Sequence, residues 1–241
     1  MPRVHVNQTL VADSEIELPA ETAHYINRVL RRGAGDTLQV FNSQSGEYTA
    51  TIVRLQGTQA TVRIGASLGL LTESPLHTTL VQGLCRSQRM DYCVQKATEL
   101  GVSRILPVVT ERCMVRLDTK RAARRLEHWR AVATSACEQS GRTALPRIEA
   151  PVPLSDVLER DDVDGRVVLD PDAGRPFADW PKAMSSVSLF IGPEGGLTSE
   201  EIEQLGHTGA DRWRMGPRIF RTETAGVVAL TLAQARWGDL G

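Results

Sequence analysis

Near the carboxyl end, the segment Met215-Gly-Pro-Arg-Ile-Phe-Arg-Thr-Glu-Thr-Ala225 places two arginines, a glutamate and two threonines directly before a run rich in Ala, Val and Leu. An arginine here, Arg221, could stabilise charge developing on a substrate, and Glu223 could accept a proton. Thr222 and Glu223 also suit a helix N-terminus, by capping and by the dipole, but that leaves the two arginines without a task. A second stretch, Glu138-Gln-Ser-Gly-Arg142, closes a predicted helix with a carboxylate and a guanidinium that a surface turn does not require. Its plainer reading is a helix end packed against its neighbours. The third stretch is Gly192-Pro-Glu-Gly-Gly196. Three glycines in five residues let backbone N–H and C=O groups approach a ligand with no Cβ in the way. The alternative is a tight turn that needs glycine only for its dihedrals. No Gly-Lys-Ser/Thr follows and the G-x-G-x-x-G spacing is absent, so neither a triphosphate nor a dinucleotide is the expected ligand.

These groups need elements to hold them. Val187–Ile191 is a short apolar run of β-formers, the pattern of a strand buried on both faces, and it leads straight into the glycine stretch. Behind the stretch, Thr198 and Glu201 have capping-box spacing, and Leu197 and Ile202 that of a hydrophobic staple. Strand and helix alternate from Thr78 onward. Strands are predicted at Thr78–Leu84, Ile105–Val109, Arg166–Asp170 and Val187–Ile191, with Asp211–Met215 leading to the final loop. Helices are predicted around Met90–Leu100, ended by Gly101, and at Arg121–Gln139 and Ala225–Trp237. Such alternation implies an α/β fold with a mostly parallel sheet. Residues 1–72 instead read as β-rich, with one helix at Ala20–Leu30, and 73–241 as a second domain. Gly65-Ala-Ser-Leu-Gly69 matches the nucleophile-elbow pattern, but no helix can start in Leu70–Pro75, so a hydrolase serine at Ser67 is not supported.

The 241 residues are 41% hydrophobic and 24% charged, the profile of a soluble globular protein. No apolar run approaches a membrane span, and the first residues lack a secretory core. Four scattered cysteines (Cys85, Cys93, Cys113, Cys137) with no C-x-x-C pair fit a cytoplasmic chain with free thiols and no metal site. A net charge of −1 argues against a protein that coats nucleic acid indiscriminately. Basic residues nevertheless crowd Arg112–Arg130, as a solvated helix face or a phosphate grip, and Arg28, Arg31 and Arg32 crowd one helix end, as dipole caps or as RNA contacts.

Four stretches in register, IGPEGGLTSEEI, MGPRIFRTETA, QKATELGV (Gln95–Val102) and CEQSGR (Cys137–Arg142), resemble the ribosomal small-subunit RNA uridine-N3 methyltransferases of the SPOUT superfamily, the RsmE family. The likeness runs over essentially the whole chain. It implies an N-terminal PUA-like β-barrel, a C-terminal SPOUT-type α/β domain tied in a trefoil knot, a homodimer, and S-adenosylmethionine (SAM) as methyl donor. By motif position it implies cofactor binding by Leu169, Ile191, Gly192, Pro193, Glu194, Gly195, Gly196, Met215, Gly216, Ile219, Phe220 and Thr222. Catalysis falls to Arg221 and Glu223, with Arg142 and Glu138 as second candidates. Contacts to 16S ribosomal RNA of the small subunit fall to Arg28, Arg31, Arg32, Arg86, Arg112, Arg116, Arg124 and Arg125. Arg86 stands where the family usually has lysine, Met215 and Phe220 where it tends to have leucine, and Cys113 where it tends to have serine. A related RNA-binding protein without activity is the alternative, and the intact glycines and RTETA segment argue against it.

N3 of uracil carries a weakly acidic proton that must leave before or as the methyl arrives. Lowering its pKa by ~2–3 units corresponds to roughly 3–4 kcal/mol. One cation ~4 Å from the developing anion supplies about 4 kcal/mol at an effective dielectric of ~20. A placed arginine therefore suffices, with Glu223 or a water taking the proton, and a sulfonium donor makes a metal unnecessary.

Overall fold

A computed structural model of the protein describes residues 1–241 except 70–71, 116–117, 159–162, 177–178 and 181–182. It divides into two compact units, Met1–Glu73 with Cys137–Leu145, and Ser74–Ala136 with Pro146–Gly241.

In the first unit, β1 (Arg3–His5), β2 (Glu15–Leu18), β3 (Thr37–Asn42), β4 (Gly46–Gln56) and β5 (Gln59–Ser67) form one sheet in the order β1-β3-β4-β5-β2. Only β1 and β3 run parallel. Two register shifts between β4 and β5 bend the sheet over a core that includes Val4, Leu38, Val40, Ile52 and Val62. The predicted helix at Ala20–Leu30 is α-helical only over α1 (Ala20–His24) and continues as a π-turn over Tyr25–Val29. Leu30 N–H bonds Tyr25 C=O at 3.0 Å, and Arg31 follows in the left-handed region at φ 52°. The elbow-like serine, Ser67, simply ends β5 opposite Tyr48.

Cys137–Leu145 joins this unit through Arg3. Its guanidinium bonds both oxygens of Glu47 (2.8 and 3.0 Å), donates to the carbonyls of Cys137 (2.6 Å) and Arg142 (2.9 Å), and lies over the Phe41 ring. The Glu138 carboxylate accepts His5 N–H at 3.2 Å. Arg142, 5% exposed, bonds Glu73 Oε2 at 2.7 Å, and Glu73 Oε1 accepts the N–H groups of Thr143 and Ala144. Burial raises the Glu73 carboxyl, but the Arg142 and backbone donors outweigh it and hold the pKa below the ordinary glutamate value. Burial leaves Glu138 above that value.

The second unit is built on β6 (His77–Gly83) and β12 (Ser186–Ile191), almost wholly buried strands at the centre of the sheet. The remaining strands are β7 (Arg104–Val109), β8 (Arg147–Ile148), β9 (Val152–Pro153), β10 (Gly165–Leu169), β11 (Arg175–Pro176) and β13 (Asp211–Arg214). All pair in parallel, in the order β11-β13-β10-β12-β6-β7-β8, with β9 also on β7. Side-chain alternation gives the sheet two cores. Leu80, Val167 and Leu189 face one core with α2 (Ser87–Glu99), α3 (Thr119–Ser140) and α5 (Thr222–Trp237). Val81, Val168 and Phe190 face the other with α4 (Ser199–His207) and the 3-10 turn Leu154–Val157.

Helix ends follow the local code. The Thr198 hydroxyl accepts Glu201 N–H (3.2 Å) and the Glu201 carboxylate accepts Thr198 N–H (2.8 Å), completing the capping box of α4. At the end of α2, Gly101 N–H bonds Thr98 C=O and Val102 N–H bonds Ala97 C=O, the two bonds of a Schellman motif. Gly101 has φ 79°, and a Cβ there would meet Gln234 Nε2 at 3.0 Å. Gly101→Ala therefore lowers unfolding stability by about 1–2 kcal/mol in urea titration, from the left-handed penalty alone; an unchanged midpoint would refute this reading of the cap.

Candidate cofactor pocket

Successive elements change sides of the sheet, and the loops joining them meet at the strands' carboxyl ends. After β12 the chain forms Gly192–Gly196 and enters α4 on one face. β13 then pairs with β10, on the far side from β12, and residues 215–221 bring the chain back to α5 on the opposite face. With the loop following Leu169, these segments enclose a cavity of about 1130 Å³. That exceeds the roughly 300–1,000 Å³ of ordinary small-molecule sites.

One buried chain of hydrogen bonds holds two of these segments together. Gln82 on β6, fully buried, donates from Nε2 to Thr222 Oγ1 at 2.8 Å, and that hydroxyl donates to Gly192 C=O at 2.6 Å. From the sequence Thr222 is expected to cap the helix or to meet the cofactor. The N-cap residue of α5 is Arg221, with no side-chain cap, while the Thr222 hydroxyl ties α5 to the glycine loop and Thr222 lines the cavity. Gly192 is itself required, because a Cβ there would lie 2.9 Å from Leu197 N and 3.0 Å from Gly196 C. Arg112, expected on an RNA face, donates to the carbonyls of Gly195 and Leu197 at 3.3 Å and so supports the loop.

Every cofactor candidate named above lines the cavity, including Leu169, Met215, Gly216, Ile219, Phe220 and Thr222. Arg221 lines it as well, exposed and with no ion-pair partner among the described residues. Glu223 does not. Its Oε1 lies 3.8 Å from Arg89 Nε, and its Oε2 is buried without a hydrogen-bond partner among the described residues. Glu138 and Arg142 do not line it either; Arg3, His5 and Glu73 engage them within the first unit.

Several lining residues are not singled out by the sequence, Arg89 and Arg212 among them. Arg89, on the first turn of α2, bonds Glu194 Oε1 at 3.0 Å, while Arg86 N–H donates to the same oxygen at 3.1 Å. Although burial raises the Glu194 carboxyl, these donors hold it below its ordinary value. Arg212 pairs with the buried Asp170 at 2.7 Å and fixes the loop after β10. Neither partnership could be inferred from spacing, since the partners are 105 and 42 residues apart. Of the expected RNA contacts, Arg28, Arg31, Arg32, Arg86 and Arg124 have exposed side chains, Arg125 donates to Ser87 Oγ, and Arg116 lies outside the described residues.

The lining suits a flat, partly polar ligand. Leu169, Ile191, Leu197 and Phe220 offer apolar surface, loop backbone offers hydrogen-bonding edges, and Asp170, Asp172, Glu194 and Glu203 supply carboxylates. Trp213 also lines the cavity, packed edge-on against Trp180 at 4.2 Å, which in turn stacks on Trp237.

Residues 72–234 match the family described as RNA methyltransferase domain, and residues 18–65 match RNA methyltransferase PUA domain. The ribosomal RNA small subunit methyltransferase E of Buchnera aphidicola subsp. Schizaphis graminum is 31% identical, over 100% of this chain and 98% of that protein. A putative methyltransferase of Legionella pneumophila, solved with bound SAM, superposes with a TM-score of 0.95 at 36% identity and covers 98% of both chains. The ribosomal RNA small subunit methyltransferase E of Neisseria gonorrhoeae, bound to S-adenosyl methionine, gives 0.93 at 32% identity over the full length of both.

Removing the Thr222 hydroxyl takes one hydrogen bond from each of two groups, though Gln82 Nε2 keeps its bond to Gly83 C=O at 3.1 Å. Thr222→Val is expected to lower stability by roughly 1–3 kcal/mol, one hydrogen bond each from Gln82 and Gly192, while Thr222→Ser stays within about 1 kcal/mol of wild type. Equal chemical-denaturation midpoints for all three proteins would contradict the link.

Proposed function

We propose, because this chain belongs to the RNA methyltransferase family, that it transfers a methyl group from S-adenosylmethionine to N3 of one uridine in the 16S ribosomal RNA of the small subunit. The observation that carries the reading is the cavity at the strands' carboxyl ends, walled by the loops after β10, β12 and β13, with the Arg221 guanidinium free on its lining. The apolar residues Leu169, Ile191 and Phe220 and the glycine-loop backbone would hold the donor. SAM supplies a methyl group on a positively charged sulfonium. Arg221 stabilises the negative charge that builds on the uracil as its N3 proton leaves. With Glu223 turned toward Arg89, water is the favoured proton acceptor.

The remaining assignments belong to the same reading. Residues 1–72 form the RNA-binding PUA-like domain and 73–241 the methyltransferase domain. The route of residues 215–221 between the two faces of the sheet is compatible with a trefoil knot. The protein works as a cytoplasmic homodimer on an assembled subunit. α5 favours pairing, since its Val227, Val228 and Leu232 remain partly exposed. Arg28, Arg31 and Arg32 grip phosphates beside the π-turn, where Arg31 keeps a left-handed backbone that a non-glycine residue adopts at a cost.

The direct test supplies small subunits lacking the modification with methyl-labelled SAM and maps the label by mass spectrometry. Label on a base position other than uridine N3, or none, would reject the reading. Arg221→Ala is expected to lower kcat by about 10²–10³, in line with 3–4 kcal/mol, with recovery as rising pH ionises the base. Near-normal turnover at unchanged SAM affinity would undo that role. Reversing Arg31 and Arg32 to Glu should weaken subunit binding and flatten its salt dependence, and identical filter-binding curves would reject that face.

A further inference from the structure

The charges around the cavity do not balance. Six arginines line it: Arg89, Arg112, Arg212, Arg214, Arg218 and Arg221. Three are engaged, Arg89 with Glu194, Arg112 with loop carbonyls and Arg212 with Asp170. Arg214, Arg218 and Arg221 are exposed and have no ion-pair partner among the described residues. A sulfonium donor brings positive charge of its own and one carboxylate, which can answer only one of the three. With Asp172 and Glu203 also on the lining, the arginines still outnumber the carboxylates six to four, and at least one exposed guanidinium is left open to an anion from elsewhere.

Between these arginines stands Ile219. It lines the cavity and is 81% exposed, more than any other large apolar side chain among the described residues. An isoleucine left in water contributes almost nothing to folding, whereas burying it contributes about 1.5–3 kcal/mol. Leu169, Ile191 and Phe220 already line the cavity as apolar surface. Gly216, at φ 74°, turns the chain just before this segment. An exposed apolar face flanked by unanswered cations is the chemistry of a seat for single-stranded nucleic acid, in which a base packs on the apolar surface while its phosphates meet the cations.

We propose that Ile219 is the packing face for the unstacked target uracil, and that Arg214 and Arg218 hold the phosphates flanking it. This rests on the RNA methyl-transfer reading, and it moves Ile219 from the cofactor to the RNA. A target drawn out of its stack needs a surface to replace the lost stacking, and Ile219 provides one beside Arg221, two positions along the chain.

The test uses the full-length protein, SAM and unmethylated small ribosomal subunits. Three quantities are measured for wild type, Ile219→Ala, Ile219→Leu and the double variant Arg214→Ala/Arg218→Ala. They are SAM affinity by calorimetry, kcat/KM toward subunits, and the salt dependence of subunit binding. Ile219→Ala should lower kcat/KM about tenfold with SAM affinity within about twofold of wild type, and Ile219→Leu should recover most of the loss. The double variant should reduce the log–log salt slope by about 1.4, two single-strand phosphates' worth. Weakened SAM binding by Ile219→Ala would return that residue to the cofactor and overturn the seat. So would unchanged kcat/KM, or a dimer lost in sedimentation. A wild-type protein that transfers no methyl to subunits removes the enzymatic reading itself, whereas an active wild type with indifferent variants removes only the seat.

Discussion

The pocket depends on a hydroxyl. Thr222 accepts from Gln82 on a central strand and donates to Gly192 in the glycine loop, so a single buried side chain joins the start of the last helix, the middle of the sheet and the ligand loop. Gln82 and Thr222 are buried and Gly192 is half-buried at the cavity wall, and a buried polar group that loses its partner regains little from water. Once this chain is made, residues 215–221 are held from β13 at one end to α5 at the other and must pass the mouth of the cavity. The arginines and the exposed isoleucine of that segment are presented to a ligand because their two ends are fixed.

Around that anchor the charges sort themselves by engagement. Arg89, Arg112 and Arg212 brace the walls through partners on other segments, and their removal from the pool of available cations defines the few that remain. A site meant for a cationic donor would repel it if all six guanidiniums were unanswered. The carboxylates and carbonyls that hold three of them make the wall tolerable for positive charge, and the free three lie in the segment Arg214–Arg221. Glu223, whose place in the sequence suggests a base, has one carboxylate oxygen 3.8 Å from Arg89 and the other buried without a hydrogen-bond partner among the described residues.

Much of the scaffold was legible because it is local. The Thr198–Glu201 box, the Gly101 cap and the apolar spacing of α2 and α3 involve residues within one or two turns, so spacing alone specifies them. The two-residue strands β8, β9 and β11 carry no periodicity and were missed, as was the π-turn that interrupts the Ala20–Leu30 helix. The motif ending in Arg142 is visible in the sequence as chemistry, but its partners are not. Glu138 and Arg142 bond His5, Arg3 and Glu73, between 69 and 139 residues away along the chain.

By itself, then, the order of residues determined the alternation of strand and helix, the caps, the glycine loop and, through four motifs in register, the family. Those features are fixed by interactions along the chain or by patterns carried whole. Tertiary structure alone decided which arginines are free, where Glu223 turns, that Thr222 bonds a loop 30 residues away, and that Ile219 stands in solvent. The reason is physical: a side chain's charge and polarity are written in its type, but whether they are already answered depends on neighbours that only folding brings within hydrogen-bonding distance.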